Sequence, residues 1–475
     1  MARSNDNSAS SFAGKRALVM GLGTNGGGLG VARFLAEQGA DVTVTDLRPV
    51  EALAEPLGAL ADLPIRYVLG EHRQADFTAT DLVVRNPAVP RESPWLATAR
   101  AAGVPIEMEM SLFFRLCPAP IVGVTGTKGK TTTANLCAAM LAAWSSDTVV
   151  AGNMGVSALE RLPGIAAHTP VVLELSSWQL EGLAEYRLSP QVAVVTNLSP
   201  DHLNRYGSMA DYAEAKRGII RWQGATDRAI LNRDDGQVWA FRDTTAARVL
   251  PFGQGDAGGE GAWQDGDLLR WRLGGAEHVT PRATLRLPGA HNTANALAAG
   301  LAALARGAPF AAIEAGLSWF SGVRDRLEAL GEIDGVRYIN DTTATAPAAA
   351  AAAVAAMERP TILIVGGSEK QTDFAALAAV VAPRVKAVVT LRGDATPRLT
   401  GAFLTAGLDR SRLHGPFDDM ESAVEQARSL AAAGDVVLLS PACASFGMFR
   451  NEFHRGDVFR ATVARLAASS RSGDA

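Results

Sequence analysis

The chain has 475 residues, of which 48% are hydrophobic and 20% are charged, and its formal net charge is −4. This composition is that of an ordinary globular protein with about two to four domains, and the slightly acidic balance argues against a nucleic-acid partner. No apolar run is long enough to span a bilayer, and the polar segment Met1–Ala13 lacks the apolar region of a secretory signal. We therefore expect a cytoplasmic protein without membrane insertion, with residues 1–13 and 469–475 disordered.

From Gly14 onward, apolar β-branched segments alternate with helical patterns, which predicts an α/β fold with parallel sheets. Pro118-Ala119-Pro120 interrupts this alternation, and a third block starts near Ser321. Residues 239–286 are rich in Gly, Trp and Asp and favour antiparallel strands. The predicted strands are Arg16–Met20, Asp41–Asp46, Asp81–Arg85, Val171–Leu175, Val192–Asn197, Arg337–Ile339, Thr361–Val365, Ala387–Leu391 and Val436–Leu439, and the clearest helices are Val31–Gln38, Asn292–Ala305 and one that begins near Pro347.

The most informative segment is Gly126–Thr132, which directly follows the apolar run Ile121–Val124. The pattern predicts a strand, a glycine loop and a helix that begins near Thr131, an arrangement that directs backbone N–H groups at a phosphate chain. Lys130 can neutralise phosphate charge, and the Thr131 hydroxyl can bind Mg²⁺. The segment is not a strict Walker A motif, because Val124 stands where that motif has glycine. An ordinary βα turn is the alternative.

Two further strand ends carry polar residues. Glu174 ends a predicted strand near the phosphate loop, where a carboxylate suits Mg²⁺, although a capping role is also open. His202 follows the next strand, and a ligand or phosphate contact is plausible for it. Lys216 lies on a predicted helix, where the pattern alone favours a solvated side chain.

A second glycine loop, Gly21-Leu22-Gly23-Thr24-Asn25-Gly26, follows the first strand, and Asp46 ends the next one. This pattern is typical of a dinucleotide site, but it also fits a tight βα turn or a related nucleotide such as a uridine diphosphate, which we favour. The fold alone does not choose between these.

Together these motifs resemble the Mur ligases of peptidoglycan synthesis over nearly the whole chain, from about Gly14 to Leu466. Ser440–Phe446 is the segment most specific to the glutamate-adding branch. The segments that carry the resemblance are Gly126–Thr132, Gly152–Gly155, Leu173–Leu180, Ser199–Tyr206, His291–Ala296, Arg326–Glu328, Asn340–Thr345, Gly366–Lys370 and Ser440–Phe446.

The resemblance implies three domains: a Rossmann-like UDP-sugar domain (14–117), a central ATP-binding domain of the P-loop type (118–318) and a Rossmann-like glutamate domain (319–475). It implies ATP-dependent addition of D-glutamate to UDP-N-acetylmuramoyl-L-alanine through an acyl phosphate, by a protein that is expected to be a monomer. An enzyme that adds L-glutamate, another Mur-type ligase, an NAD-dependent dehydrogenase and a non-catalytic nucleotide-binding module remain alternatives.

The resemblance also implies roles for individual residues. The catalytic residues are Lys130, His202 and Lys216, and Lys216 is expected to be carbamylated. Two Mg²⁺ ions are expected, one held by Thr131 and Glu174 and one by His202 and Lys216. The ATP contacts are Thr127, Lys128, Gly129, Lys130, Thr131, Thr132, Thr133, Asn153, Asn295, Arg326 and Asp341; the UDP-sugar contacts are Gly23, Thr24, Asp46 and Arg48; and the glutamate contacts are Thr345, Lys370 and Ser445.

The chain departs from the family pattern in the third block. Thr342 and Thr343 replace the family's serine and lysine, so one cation near the reacting phosphates is missing. Asp325 stands where a histidine usually precedes the motif arginine. The aromatic residue after Ser445 is displaced by one position to Phe453, with Glu452 in its place.

Overall fold

A computed structural model describes residues 12–23, 27–153, 157–201, 205–287, 289–368 and 372–473. The chain divides into two compact units, one formed by Met1–Arg286 with Ala290–Phe320 and the other by Leu287–Gly289 with Ser321–Ala475. Among the described helices, none combines the length and the apolarity that crossing a bilayer requires. Thr24, His202 and Lys370, which carry predicted site roles, lie outside the described residues.

The first domain is a five-stranded parallel sheet in the order β3-β2-β1-β4-β5. This is the strand order of nucleotide-binding Rossmann folds, in which ligands bind beyond the carboxyl ends of the strands. Its elements are β1 Arg16–Met20, α1 Gly27–Glu37, β2 Asp41–Asp46, α2 Ala54–Gly58, β3 Ile65–Leu69, α3 Gln74–Thr78, β4 Leu82–Arg85, α4 Pro94–Ala101, β5 Ile106–Glu107 and α5 Glu109–Leu116.

The central domain is a nine-stranded sheet in the order β14-β13-β12-β11-β10-β9-β6-β8-β7, in which β6 has β8 and β9 as parallel neighbours. Strands β12, β13 and β14, at one edge of the sheet, form the predicted antiparallel part. Its elements are β6 Ile121–Thr125, α6 Lys130–Ala142, β7 Val149–Gly152, β8 Val171–Glu174, α7 Ser177–Glu185, β9 Val192–Val195, α8 Met209–Arg221, β10 Arg228–Asn232, α9 Gly236–Trp239, β11 Arg248–Gln254, β12 Gly261–Asp265, β13 Leu268–Leu273, β14 Ala276–Pro281, α10 Ala290–Ala305 and α11 Phe310–Trp319.

The third domain is a six-stranded sheet in the order β15-β16-β20-β17-β18-β19, parallel apart from the β15–β16 pair. Its fully buried strands β17 and β20 read as continuous apolar runs, as strands covered on both faces do. Its elements are β15 Glu328–Ile333, β16 Val336–Asn340, α12 Pro347–Ala355, β17 Thr361–Val365, α13 Ala375–Arg384, β18 Val385–Leu391, α14 Thr396–Thr405, β19 Leu413–Phe417, α15 Met420–Leu430, β20 Val436–Leu439 and α16 Glu452–Gly473.

Three sequence predictions need correction at element ends. Helix α1 begins at Gly27 rather than Val31, because its first residues include glycines that a propensity argument places outside a helix. Phe12 is 8% exposed and its ring lies 5.9 Å from that of Phe34, so structure begins inside the segment predicted to be disordered. At the other end, α16 continues through Gly473, so residues 469–473 are helical rather than disordered.

Candidate functional site

The loop between β6 and α6 has a conformation that glycine alone suits. Gly126 has φ +146°, and a Cβ there would overlap the Thr196 hydroxyl; Gly129 has φ +81° and lies against the Asn295 amide. The first N–H groups of a helix have no partner within it, so the loop and the start of α6 form an anion-binding geometry. The Lys130 ammonium lies across the loop and donates to the carbonyl of Thr127 at 3.0 Å.

The end of β9 holds this loop from one side. The Asn197 side chain accepts from the N–H of Lys128 (2.8 Å) and donates to its carbonyl (3.0 Å), and the Thr196 hydroxyl donates to the same carbonyl (2.7 Å). Thr127 donates its backbone N–H to the carbonyl of Asn197 at 2.8 Å. Sequence reasoning missed Thr196 and Asn197 as loop contacts, although both lie just before the segment Ser199–Tyr206.

Glu174 ends β8 beside the loop and is 2% exposed. One carboxylate oxygen, Oε1, accepts from the Asn153 amide at 3.1 Å, whereas Oε2 is buried and has no hydrogen-bond partner. An orphaned carboxylate oxygen of this kind fits a hard cation such as Mg²⁺. The described residues contain no cluster of three or more His, Cys, Asp or Glu side chains with metal-binding geometry.

Lys216 lies on α8 and is 2% exposed, so the solvated side chain that the helix pattern alone favours is wrong. Its ammonium donates to the carbonyl of Gly126 at 2.8 Å and lies 4.8 Å from the ring centre of Tyr212. Burial, and next the charge of Lys130, lower the pKa of Lys216 to about 7. No described carboxylate forms an ion pair with it. Glu174 and Asp201 act on it only from a distance.

In the first domain, the Asp46 carboxylate holds the other glycine loop. It accepts from the N–H groups of Leu22 (3.0 Å) and Gly23 (3.3 Å) and forms an ion pair with Arg48 at 3.1 Å. Burial raises the pKa of Asp46, but the bonds from Arg48 and from the backbone outweigh it, so the net shift is downward. The amide of Asn86, a residue that we did not single out for binding, also lies against Gly23.

The remaining described residues with predicted roles lie in the second unit, where Asp341 and Ser445 each follow the carboxyl end of a strand. Asp341 follows β16 and is 4% exposed; burial raises its pKa to about 6 against bonds from Ser440 (2.8 Å) and the N–H of Leu327 (3.1 Å). Ser445 follows β20, and its hydroxyl is buried without a partner. Arg326 is exposed and Thr345 is half-buried.

Ser445 lines a narrow gap in the second unit that does not admit a water molecule, together with the Gly366-Gly367 backbone, Arg392 and the exposed ring of Phe446. A buried hydroxyl without a hydrogen-bond partner among the described residues is a candidate contact for a ligand carboxylate.

Sequence reasoning missed the charged residues of α16 that hold this edge of the sheet. Arg455 is fully buried and donates to the hydroxyl (3.0 Å) and the carbonyl (2.9 Å) of Thr342, and also to the carbonyls of Cys443 and Ala444. Arg460 forms ion pairs with Asp325 and Glu328. Asp325 is the sequence signal for Arg460, because an acidic residue at the family's histidine position indicates a cation elsewhere in the chain that pairs with it.

Three Mur ligase family models match the chain. Family models match residues 15–107 (Mur ligase MurD-like, N-terminal domain), 124–303 (Mur ligase middle domain) and 325–443 (Mur ligase, glutamate ligase domain). A relative named UDP-N-acetylmuramoylalanine–D-glutamate ligase from Roseiflexus sp. (strain RS-1) is 54% identical, covering 95% of this chain and 99% of its own length. A Geobacter metallireducens relative of the same name is 41% identical, covering 97% and 99%.

Among solved structures, the chain is similar to UDP-N-acetylmuramate-alanine ligase MurC from Thermotoga maritima, with a TM-score of 0.60 at 22% identity, over 96% of this chain and all of the other. It is also similar to MurF from Acinetobacter baumannii, with a TM-score of 0.57 at 17% identity, over 84% and 93%. At these identities the likeness shows the fold alone, and it confirms the three-domain α/β architecture.

Proposed function

The chain belongs to the Mur ligase family, and from that premise we propose that it is an ATP-dependent ligase that joins D-glutamate to UDP-N-acetylmuramoyl-L-alanine in cytoplasmic peptidoglycan precursor synthesis. The observation that carries the proposal is the 54% identity to a relative of that name over 99% of the relative's length. The geometry of one sheet edge supports it. A glycine loop suited to phosphate, a Glu174 carboxylate oxygen suited to Mg²⁺ and the buried Lys216 lie together there, and phosphoryl transfer requires groups of these kinds.

The reaction has two steps. The terminal phosphoryl group of ATP passes to the alanine carboxylate and forms an acyl phosphate and ADP. The glutamate amine then attacks the acyl carbon, the amide C–N bond forms, phosphate leaves and the amine loses a proton. Such chemistry needs little covalent participation from the protein, so positioning and charge neutralisation dominate.

In this mechanism Lys130 and the start of α6 hold the phosphate chain, with Thr127–Thr133, Asn153 and Asn295 around the nucleotide. Mg²⁺, when bound, supplies positive charge to the phosphate oxygens. We assign Thr131 and Glu174 to one ion, and Lys216 with His202 to a second. Arg326 and Asp341 are assigned to ATP from the second unit.

We also propose that Lys216, in its neutral amine form, reacts with carbon dioxide: the nitrogen bonds to the carbon, one C=O π bond opens to a carboxylate oxygen, and one N–H proton is released to leave a carbamate. The geometry favours this because Lys216 is buried beside Lys130, with no paired carboxylate, at a place where phosphates and cations must gather. A bare ammonium there would repel Mg²⁺, whereas a carbamate offers oxygen ligands.

The remaining residues are assigned to substrate binding. Gly23, Thr24, Asp46 and Arg48 are assigned to the UDP-sugar, and Thr345, Lys370 and Ser445 to the carboxylates of glutamate. The Ser445 hydroxyl supports the second assignment, because a buried donor without a hydrogen-bond partner among the described residues is available to bind a ligand. We propose that the protein acts as a monomer.

A phosphate-release assay with purified protein tests the function. Release should require ATP, UDP-N-acetylmuramoyl-L-alanine and D-glutamate together, and it should fall to background when any one is omitted. L-glutamate in place of D-glutamate tests the stereochemistry. Turnover with L-glutamate alone would identify an L-glutamate-adding enzyme, and ATP binding without release under any condition would identify a non-catalytic module. Binding of NADH but not of the UDP-sugar, followed by tryptophan fluorescence, would favour a dehydrogenase.

A further inference from the structure

The two departures from the family pattern are in direct contact within the second unit. Thr343, which stands at the family's lysine position, donates both its backbone N–H (3.1 Å) and its hydroxyl (2.8 Å) to the carbonyl of Asp325. Asp325 stands at the family's histidine position. The two substitutions therefore form one local unit rather than two separate losses.

Asp325 belongs to a turn with unusual backbone geometry. Asp325 has φ +65° and Leu327 has φ +43°, so left-handed, non-glycine residues flank Arg326 on both sides. Such conformations are strained, and they persist only where the surroundings fix them. On the far side, the N–H of Leu327 donates to the Asp341 carboxylate at 3.1 Å. The turn thus connects Thr343 with Arg326 and Asp341, which the proposed function assigns to ATP.

Arg460 on α16 provides the fixing contact. Its guanidinium donates to Asp325 Oδ1 at 2.9 Å and to Glu328 Oε2 at 2.8 Å, and a further N–H donates to Asp457 at 2.7 Å. The Asp325 side chain is only 3% exposed. Its charge depends on Arg460, on the Asn340 amide, which donates to it at 2.8 Å, and on Arg324, whose Nε lies 3.6 Å from Oδ2.

The packing of α16 makes the contact specific. A Cβ on Gly456 would overlap the Asp325 carboxylate and approach the Thr342 methyl group, so the helix passes the turn at a distance that only glycine permits. Glu328 also accepts from the N–H of Asp325 at 2.9 Å, and therefore both carboxylates and the turn backbone converge on one guanidinium.

We propose that Arg460 is a positioning residue for ATP: through the carboxylate of Asp325, its guanidinium holds the left-handed turn that presents Arg326 and anchors Thr343. This inference rests on the proposed function. It goes beyond that function because it assigns a role to a helix residue that the proposed function leaves unassigned, and it explains how a chain without the family's lysine keeps this edge ordered.

The test compares Arg460→Met with Arg460→Lys, and with Arg465→Ala as a control on the same helix. Arg465 pairs with Glu421 on the surface at 3.1 Å. In Arg460→Met we expect the KM for ATP to rise by about tenfold or more, since misplacement of a binding group by about 1 Å costs up to about 100-fold. The KM for the UDP-sugar should stay unchanged. Arg460→Lys should recover most of the loss, and Arg465→Ala should match the wild type.

Partial unfolding alone gives a different result, because it lowers the maximal rate and leaves every KM unchanged. That result in Arg460→Met would overturn the inference. If Arg460→Met is insoluble, Asp325→Asn/Arg460→Met removes the anchor together with the buried Asp325 charge and leaves only the partly exposed Glu328 and Asp457 without this cation. The same rise in the KM for ATP is expected. An unchanged KM in a folded double variant would also overturn it. Failure of the wild-type protein to ligate glutamate would instead contradict the proposed function.

Discussion

The β6–α6 loop and the segment after β16 both follow the carboxyl end of a parallel strand, yet different parts of the chain hold them. In the first, glycine geometry and the adjacent strand end at Thr196 and Asn197 fix the loop. In the second, α16 does so, and Arg455 reaches Thr342 across 113 residues of sequence. The first site is thus defined by a local motif together with its sheet, whereas the second depends on one distant helix.

The largest effect should come from the local site. Lys130→Ala removes the ammonium that lies across the glycine loop, and we expect turnover to fall by about 100-fold to 1,000-fold, the range for loss of one group that stabilises transition-state charge. UDP-sugar affinity, measured by calorimetry, serves as the control for folding and should be unchanged. Wild-type turnover at saturating ATP would show that the loop assignment is wrong.

Lys216→Ala examines the same region from α8 and should reduce turnover by about 100-fold if the residue supplies a metal ligand. Added acetate is expected to restore part of the activity, since it fits the vacated space and offers carboxylate oxygens, whereas bicarbonate should not. Mass spectrometry under non-denaturing conditions or a crystal structure can detect the carbamate directly. Full activity in the alanine variant, or an unmodified lysine in crystals grown above pH 7, would count against it.

Arg455→Ala tests the distant support of the second site through stability. The substitution leaves carbonyls of Thr342, Cys443 and Ala444 without their buried donor, and we expect a loss of about 2–5 kcal/mol in the free energy of unfolding. Urea denaturation measures it. The exposed Arg465 is the matched control on the same helix, and its removal should cost less than about 1 kcal/mol. Equal midpoints for both variants would contradict the comparison.

The same contrast explains what sequence could predict. Strands such as Thr361–Val365 and Val436–Leu439 were predicted with their observed bounds, because buried parallel strands have an unmistakable apolar pattern. The glycine loop was predicted because its conformation is determined by neighbouring residues of the segment Gly126–Thr132. The burial of Lys216 and the contacts of Arg455 and Arg460 were not, since a charged residue on a helix looks solvated until the packing of distant elements is known.

Asp46→Ala should affect the UDP-sugar rather than ATP. The substitution removes the acceptor for the N–H groups of Leu22 and Gly23 and the partner of Arg48, so we expect UDP-sugar binding to weaken by about 1.5–3 kcal/mol, the range for hydrogen bonds to a charged group. Asp81→Ala removes an exposed carboxylate that accepts from the guanidinium and the backbone N–H of Arg16; it is the control and should bind normally. Calorimetry decides the matter, and a loss confined to ATP would reverse the two nucleotide assignments.

The smallest effect is expected where the chain departs from its family. Thr343 is half-buried, and its hydroxyl donates to the carbonyl of Asp325. Thr343→Lys keeps the backbone bond and loses the hydroxyl bond, a cost of about 0.5–1.5 kcal/mol. The KM for ATP or glutamate should therefore change by less than about tenfold, and Thr343→Ser, which keeps the hydroxyl, should change it less. Steady-state kinetics measure both variants.

A gain of several hundredfold in turnover would mean that the native chain is an impaired or repurposed ligase. Complete loss of turnover would show that the bond between Thr343 and Asp325 is as critical as Lys130. The contrast between the locally defined β6–α6 loop and the segment after β16, which depends on a distant helix, would then be wrong.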